Sequence, residues 1–127
     1  TPEAAPDNSL LSAADELFLR KAFKFLEQNL DNPEYSVEVL SRDMGMDRTG
    51  LYRKLVSVVG KTPTNFIRSI RLKRAAQLLK EQKYSITEVA EMTGFSDAKY
   101  FREVFKKHFS VSPSQYAKQK EEGEEGE

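Results

Sequence analysis

Apolar residues recur along the chain at spacings of three and four rather than two, so the pattern predicts helices throughout and no strand. Seven helices follow from the punctuation. Ser12 can cap a first helix over about 13–30, with Leu19, Phe23, Leu26 and Leu30 as its apolar stripe and Asp31-Asn32-Pro33 as its stop. Ser36 opens a short second helix through Asp43, Gly45 closes it, and Asp47 caps a third that runs to about Val59. Thr62 followed by Pro63 starts a long fourth helix reaching about Glu81. Ser85-Ile86-Thr87-Glu88 is a capping box for a fifth, ended by Gly94. Ser96 caps a sixth through about Phe109, and Ser112-Pro113-Ser114-Gln115 starts a short seventh.

The pattern repeats internally. Ser36, Val37, Leu40 and Gly45 match Ser85, Ile86, Val89 and Gly94 at an offset of 49, and Leu51, Leu55, Val59, Pro63 and Phe66 match Phe101, Phe105, Phe109, Pro113 and Tyr116 at an offset of 50. Each copy is a short helix, a glycine turn and a longer helix, the order of a helix-turn-helix unit. The expected fold is all-α: two helix-turn-helix subdomains, about 36–60 and 85–109, joined by a long central helix over 62–81, each subdomain a homeodomain-like three-helical unit. Residues 1–11 read as a linker, 12–119 as one domain, and 120–127 as a disordered acidic tail.

The apolar and punctuation positions repeat, but the exposed ones do not. With Leu51, Leu55, Val58 and Val59 inward, the third helix turns Thr49, Tyr52, Arg53 and Val56 outward, with Arg48 near its start. With Phe101, Phe105 and Phe109 inward, the sixth turns Lys99, Arg102, Glu103 and Lys106 outward. A duplicated scaffold with two different outer faces suits two reading heads for two different sequences. A helix fits the major groove, where arginine reads guanine and other polar side chains read other base edges. A central rod of about 28 Å approaches the roughly 34 Å between major-groove faces one turn apart.

Charge sharpens this. The chain of 127 residues is neutral overall, with 20 basic and 20 acidic side chains. Residues 47–119 nevertheless hold fifteen basic against six acidic ones, the footprint of a polyanion binder. Ser36, Arg68, Arg71, Lys73, Ser85, Lys106 and Lys107 form the expected phosphate-contacting or positioning set, with Arg68, Arg71, Lys73 and Arg74 also suited to carboxylates across the subdomain boundary.

Other chemistries have little to work with. No cysteine and a single histidine, His108, argue against thiol nucleophiles, Cys-ligated zinc, most His-based metal sites and Ser-His-Asp catalysis. Glu88 and Glu91, the only tempting carboxylate pair, read as a cap and a solvated neighbour. No cofactor, metal or catalytic residue is expected. Apolar runs fall far short of a bilayer span, and no secretory pattern opens the chain, so a cytoplasmic domain without membrane contact is expected. The chain opens at Thr1 rather than methionine, as expected of an excised domain.

Gly94-Phe95-Ser96, Tyr100-Phe101-Arg102 and Phe105-Lys106-Lys107-His108-Phe109, with Ser112-Pro113 and Tyr116 beyond, resemble the most specific signature of the AraC/XylS family of bacterial transcription regulators. Leu51-Tyr52-Arg53-Lys54-Leu55, Gly60 and Thr62-Pro63 extend the resemblance over about 34–117. With Asp15-Glu16-Leu17-Phe18-Leu19 ahead of it, the chain looks most like the C-terminal output domain of hybrid two-component regulators, which commonly control carbohydrate-utilisation genes. The resemblance implies base-facing roles for Thr49, Tyr52 and Arg53 and for Lys99, Arg102 and Glu103, with Arg48 alongside. It implies double-stranded DNA and RNA polymerase as partners, receiver and histidine kinase modules elsewhere in the same polypeptide, and a monomeric fragment of a regulator that dimerises at full length. Two residues depart from the pattern: Gly50, which offers no side chain for readout, and Glu103, where the family often has a basic or polar residue. A helical protein-interaction module without specific DNA readout is the principal alternative, and an RNA-binding domain is disfavoured by the inward-pointing aromatics.

Overall fold

Local capping signals set the helix starts, and glycine or serine in the left-handed region sets several of the ends. The computed structural model describes residues 12–125. Seven α-helices follow in order: α1 (Ala13–Gln28), α2 (Val37–Asp43), α3 (Arg48–Val59), α4 (Pro63–Glu81), α5 (Ile86–Met92), α6 (Ala98–Phe109) and α7 (Pro113–Glu125). No strand occurs among the described residues, and none of their helices is long and apolar enough to cross a membrane.

The chain forms two compact units. The first takes the residues through Gln28 and Ser36–Phe66; the second takes Asn29–Tyr35 and the residues from Ile67 onward. In the first, α2 packs on both α1 and α3. Phe18, Ala22 and Leu26 are buried at i, i+4 and i+8 along α1, together with Leu40, Leu51 and Leu55. This differs from the expected α1 stripe. The inward face is centred on the small Ala22, which lets the neighbouring backbone approach, while Phe23 is 41% exposed and lays its ring against Phe66 at 5.7 Å. The helix also ends at Gln28, two residues early, and Leu30 belongs to the second unit.

The second unit buries Leu72, Ala75, Ala76 and Leu79 of α4, at i, i+3, i+4 and i+7, against Val89, Phe101 and Phe105. An aromatic ladder continues outward: Phe105 to Phe109 at 4.5 Å and Phe109 to Tyr116 at 5.4 Å between ring centres. It ties α6 to α7. Each aromatic residue contributes more apolar area than a leucine, so this pairing fixes α6 firmly on its inner side.

One further expectation is corrected. The cap of α6 is Asp97, whose carboxylate accepts the backbone N–H groups of Lys99 and Tyr100 at 2.9 and 3.4 Å, and not Ser96. A carboxylate at a helix start also meets the positive end of the helix dipole, which a serine hydroxyl exploits less. At the acidic end α7 runs on through residues 120–125, where Lys120 and the glutamates are good helix formers and Gly123 is not. Positions 126–127 and the linker over 1–11 lie outside the described residues.

Candidate nucleic-acid interface

In the first unit, α3 begins where the Asp47 carboxylate accepts the Gly50 N–H at 2.7 Å. Its inner face buries Leu51 and Leu55 completely. Lys54 reaches back to α1, with its Nζ 2.7 Å from Asp15 Oδ1 and 5.8 Å from the centre of the Phe18 ring. The hydrogen bond from Lys54 pulls the Asp15 carboxyl below its ordinary value; partial desolvation opposes this, while the Lys54 charge and Ser12 reinforce it. Sequence reasoning did not single out this brace. It holds the inner side of α3 so that Arg48, Thr49, Tyr52, Arg53 and Val56 all stay exposed on the outer side.

Beside that face lies a groove of about 580 Å³, lined by Val37, by Arg48, Thr49, Tyr52 and Arg53, and by the Thr62-Pro63-Thr64 start of α4. Arginine, threonine and tyrosine side chains line it, and no acidic residue does. Such a lining attracts anions and leaves hydrogen-bond donors for base edges or phosphates.

In the second unit, Phe101 and Phe105 of α6 are fully buried. Lys99, Arg102, Glu103, Lys106 and Lys107 are all exposed, as the periodicity predicts. His108 is exposed too, its ring edge-on to Phe109 at 4.7 Å. The two expected reading helices thus carry the expected outer residues, each within its own unit.

The positioning set divides. Ser36 and Ser85 spend their side-chain oxygens as caps, accepting from Val39 N–H at 3.4 Å and Glu88 N–H at 3.1 Å; Glu88 returns the favour to the Ser85 N–H at 2.8 Å. Lys73, Lys106 and Lys107 are exposed, while Arg68 is half-buried with Nη1 3.5 Å from the Tyr100 hydroxyl oxygen. Arg74 is exposed and donates to Gln77 at 3.1 Å.

Arg71 differs from the rest of the set: it is 6% exposed, and its guanidinium is taken up by main-chain carbonyls. Its Nη1 donates to the carbonyls of Leu30 and Thr93, the latter at 3.0 Å, and its Nη2 to those of Asn32 and Tyr35 at 3.1 and 3.2 Å. Four carbonyl dipoles converging on one guanidinium satisfy it where water cannot reach. Burial lowers its pKa, opposed by the charge of Asp31, but arginine stays protonated in any such setting. Arg71 thus ties α4 to the carbonyls of residues 30–35 and of Thr93 within the second unit.

A helix-turn-helix domain family matches residues 40–119. A transcriptional regulator from Chromobacterium violaceum, with an AraC-type DNA-binding domain, superposes with a TM-score of 0.77 at 28% identity, covering 86% of this chain and 96% of that one. This chain belongs to the AraC-type helix-turn-helix family. Among relatives of this AraC-type domain, histidine kinase P4 of Formosa agariphila is 42% identical over 111 residues, 87% of this chain. The chain spans 8% of that kinase's length. The DNA-binding domain of AdpA, a global transcriptional factor solved in complex with a target DNA, superposes with a TM-score of 0.73 at 27% identity, covering 80% and 90% of the two chains.

One departure from the family pattern now has a local cause. A Cβ at Gly50 would lie 3.0 Å from Asp47 Oδ1, pressing on the carboxylate that caps α3. The missing side chain leaves room for the cap.

Proposed function

We propose that this AraC-type domain is a sequence-specific reader of double-stranded DNA and regulates transcription. The reading rests on one observation: two cap-anchored helices in matched repeat frames, α3 and α6, bury one face and expose a cationic, polar one. Arg48, Thr49, Tyr52 and Arg53 face bases from α3, and Lys99, Arg102 and Glu103 from α6. Ser36, Arg68, Lys73, Ser85, Lys106 and Lys107 serve the sugar-phosphate backbone or positioning. The chemistry is recognition, with no catalytic step in this domain and no cofactor or metal.

The likeness to a histidine kinase of much greater length supports an output domain in a hybrid two-component protein with a kinase in the same polypeptide; a receiver module there and carbohydrate-utilisation genes as targets extend that reading. RNA polymerase as a second partner, a cytoplasmic location and dimerisation of the full-length regulator belong to the same reading.

The test is selection of duplexes from a random pool by the 127-residue chain, followed by hydroxyl-radical footprinting and affinity measurements. Two protected major-groove segments are expected. Arg53→Ala should cost about 1–3 kcal/mol on the selected site and relax preference at one base pair, while Lys106→Ala should weaken all duplexes alike and flatten the salt dependence by about one unit of slope. Recovery of no preferred sequence would overturn the reading and favour a helical protein-interaction module, whose mainly apolar contacts would also resist high salt.

A further inference from the structure

The two reading helices differ in kind on their outer faces. On α6 the outward positions Lys99, Arg102, Glu103 and Lys106 are all charged, and the exposed aromatic, Tyr100 at 44%, lies to the side of that line with its hydroxyl oxygen 3.5 Å from Arg68 Nη1. On α3 the exposed face holds Thr49, Tyr52 and Val56 alongside Arg53, and Tyr52 and Val56 are 50% and 42% exposed. Thr49, Tyr52 and Val56 stand at i, i+3 and i+7, one line along the helix. They do not serve the core, because Leu51 and Leu55 fill the inner side. Nor does any acidic residue of α3 accompany them: the helix has none, and the Asp47 carboxylate before it is spent on the Gly50 N–H.

A valine cannot read a hydrogen-bonding base edge, and leaving it in water forgoes burial free energy. The major groove of DNA offers one apolar group, the C5-methyl of thymine. We propose that α3 reads thymine methyls through the strip Thr49, Tyr52 and Val56, with Arg53 beside it taking a purine edge. Cationic Arg48 and Arg53 draw the strip into the groove, and apolar contact then selects where along it α3 settles. The first unit therefore specifies thymine-containing steps by shape, whereas the second relies on charged side chains. This inference rests on the DNA-reading role of α3.

The experiment replaces each thymine of a selected duplex, singly, by deoxyuridine, which keeps every hydrogen-bonding group and removes only the methyl. Affinity for the 127-residue chain should fall about fourfold at one or more positions, the fold-change for one methyl-sized apolar contact. In Val56→Ala, whose site is exposed and whose helicity is checked by circular dichroism, at least one of those losses should shrink below about twofold. In Lys106→Ala all of them should persist. Tolerance of deoxyuridine at every thymine of a specifically bound duplex overturns the inference while leaving DNA reading intact, and so does an unchanged profile in both Val56→Ala and Tyr52→Ala. Failure to prefer any duplex over another removes the inference together with the reading beneath it.

Discussion

Arg71 of α4 donates through Nη1 to the main-chain carbonyl of Thr93, 3.0 Å away, the residue immediately before the turn that leads to α6. The same guanidinium holds three carbonyls of 30–35. Arg71→Ala leaves these acceptors without their shared donor and opens a cavity, and should cost about 3 kcal/mol in urea denaturation. Arg71→Lys should cost only somewhat less: the ammonium keeps a charged donor near the site but cannot span four acceptors arranged for a planar fork. Wild-type stability in Arg71→Ala would show that water takes over the carbonyls.

Gly94 sits against this fork. A Cβ there would collide with the Arg71 guanidinium and the Leu30 carbonyl, and its φ of 84° already excludes most side chains. At Gly45, the matching position of the repeat, φ is 72° but a Cβ would meet nothing within 4 Å. Gly45→Ala should therefore cost about 1 kcal/mol for conformation alone, and Gly94→Ala at least twice that. Equal losses measured side by side by thermal denaturation would show that the guanidinium yields freely.

α3 ends at Gly60 with φ 73°, and α6 ends fifty residues later at Ser110 with φ 69°. The same left-handed cap is free of strain in one copy and strained in the other. Ser110→Gly should raise stability by about 1 kcal/mol, read as an increase in the denaturation midpoint at unchanged slope. A decrease would assign the serine hydroxyl a stabilising contact larger than the backbone strain.

The Asp15–Lys54 bridge gives a pH signature. Its folded-state carboxyl titrates below the ordinary carboxylate value of about 3.9, so the unfolded chain binds the proton first as pH falls. The contribution is complete above that value and is lost as pH drops through the folded-state midpoint. In Lys54→Met the Asp15 midpoint, followed by carboxyl-carbon NMR, should move upward toward the ordinary value. An unmoved midpoint would assign the shift to Ser12, which also hydrogen-bonds this carboxyl.

What was legible in the sequence was whatever is written locally. Ser36, Asp47, Ser85 and the Ser112/Gln115 pair announce helix starts because a cap acts within three residues. The outer faces of α3 and α6 were legible because their inner faces hold large residues in strict register. Asp97 was missed although the signal was present: the repeat offset of fifty pairs it with Asp47. The frame of α1 slipped because Phe23 outweighs Ala22 in hydrophobicity, whereas packing rewarded the smaller residue. For Arg71 a positioning role was among the expectations, but what it holds was not legible. Its partners are main-chain carbonyls 22–41 residues distant, and a carbonyl carries no mark in the sequence.

That distance also sets an order of events during synthesis. The Leu30 carbonyl leaves the ribosome 41 residues ahead of the arginine that will hold it. At about 5–20 residues per second, the segment waits for roughly 2–8 s, with α2 and α3 emerging meanwhile. The second unit thus begins with a strip of chain made before most of the first. A fragment that starts at Ile67 would carry Arg71 without three of its four acceptors, and the part that looks separable by sequence position is not separable by translation.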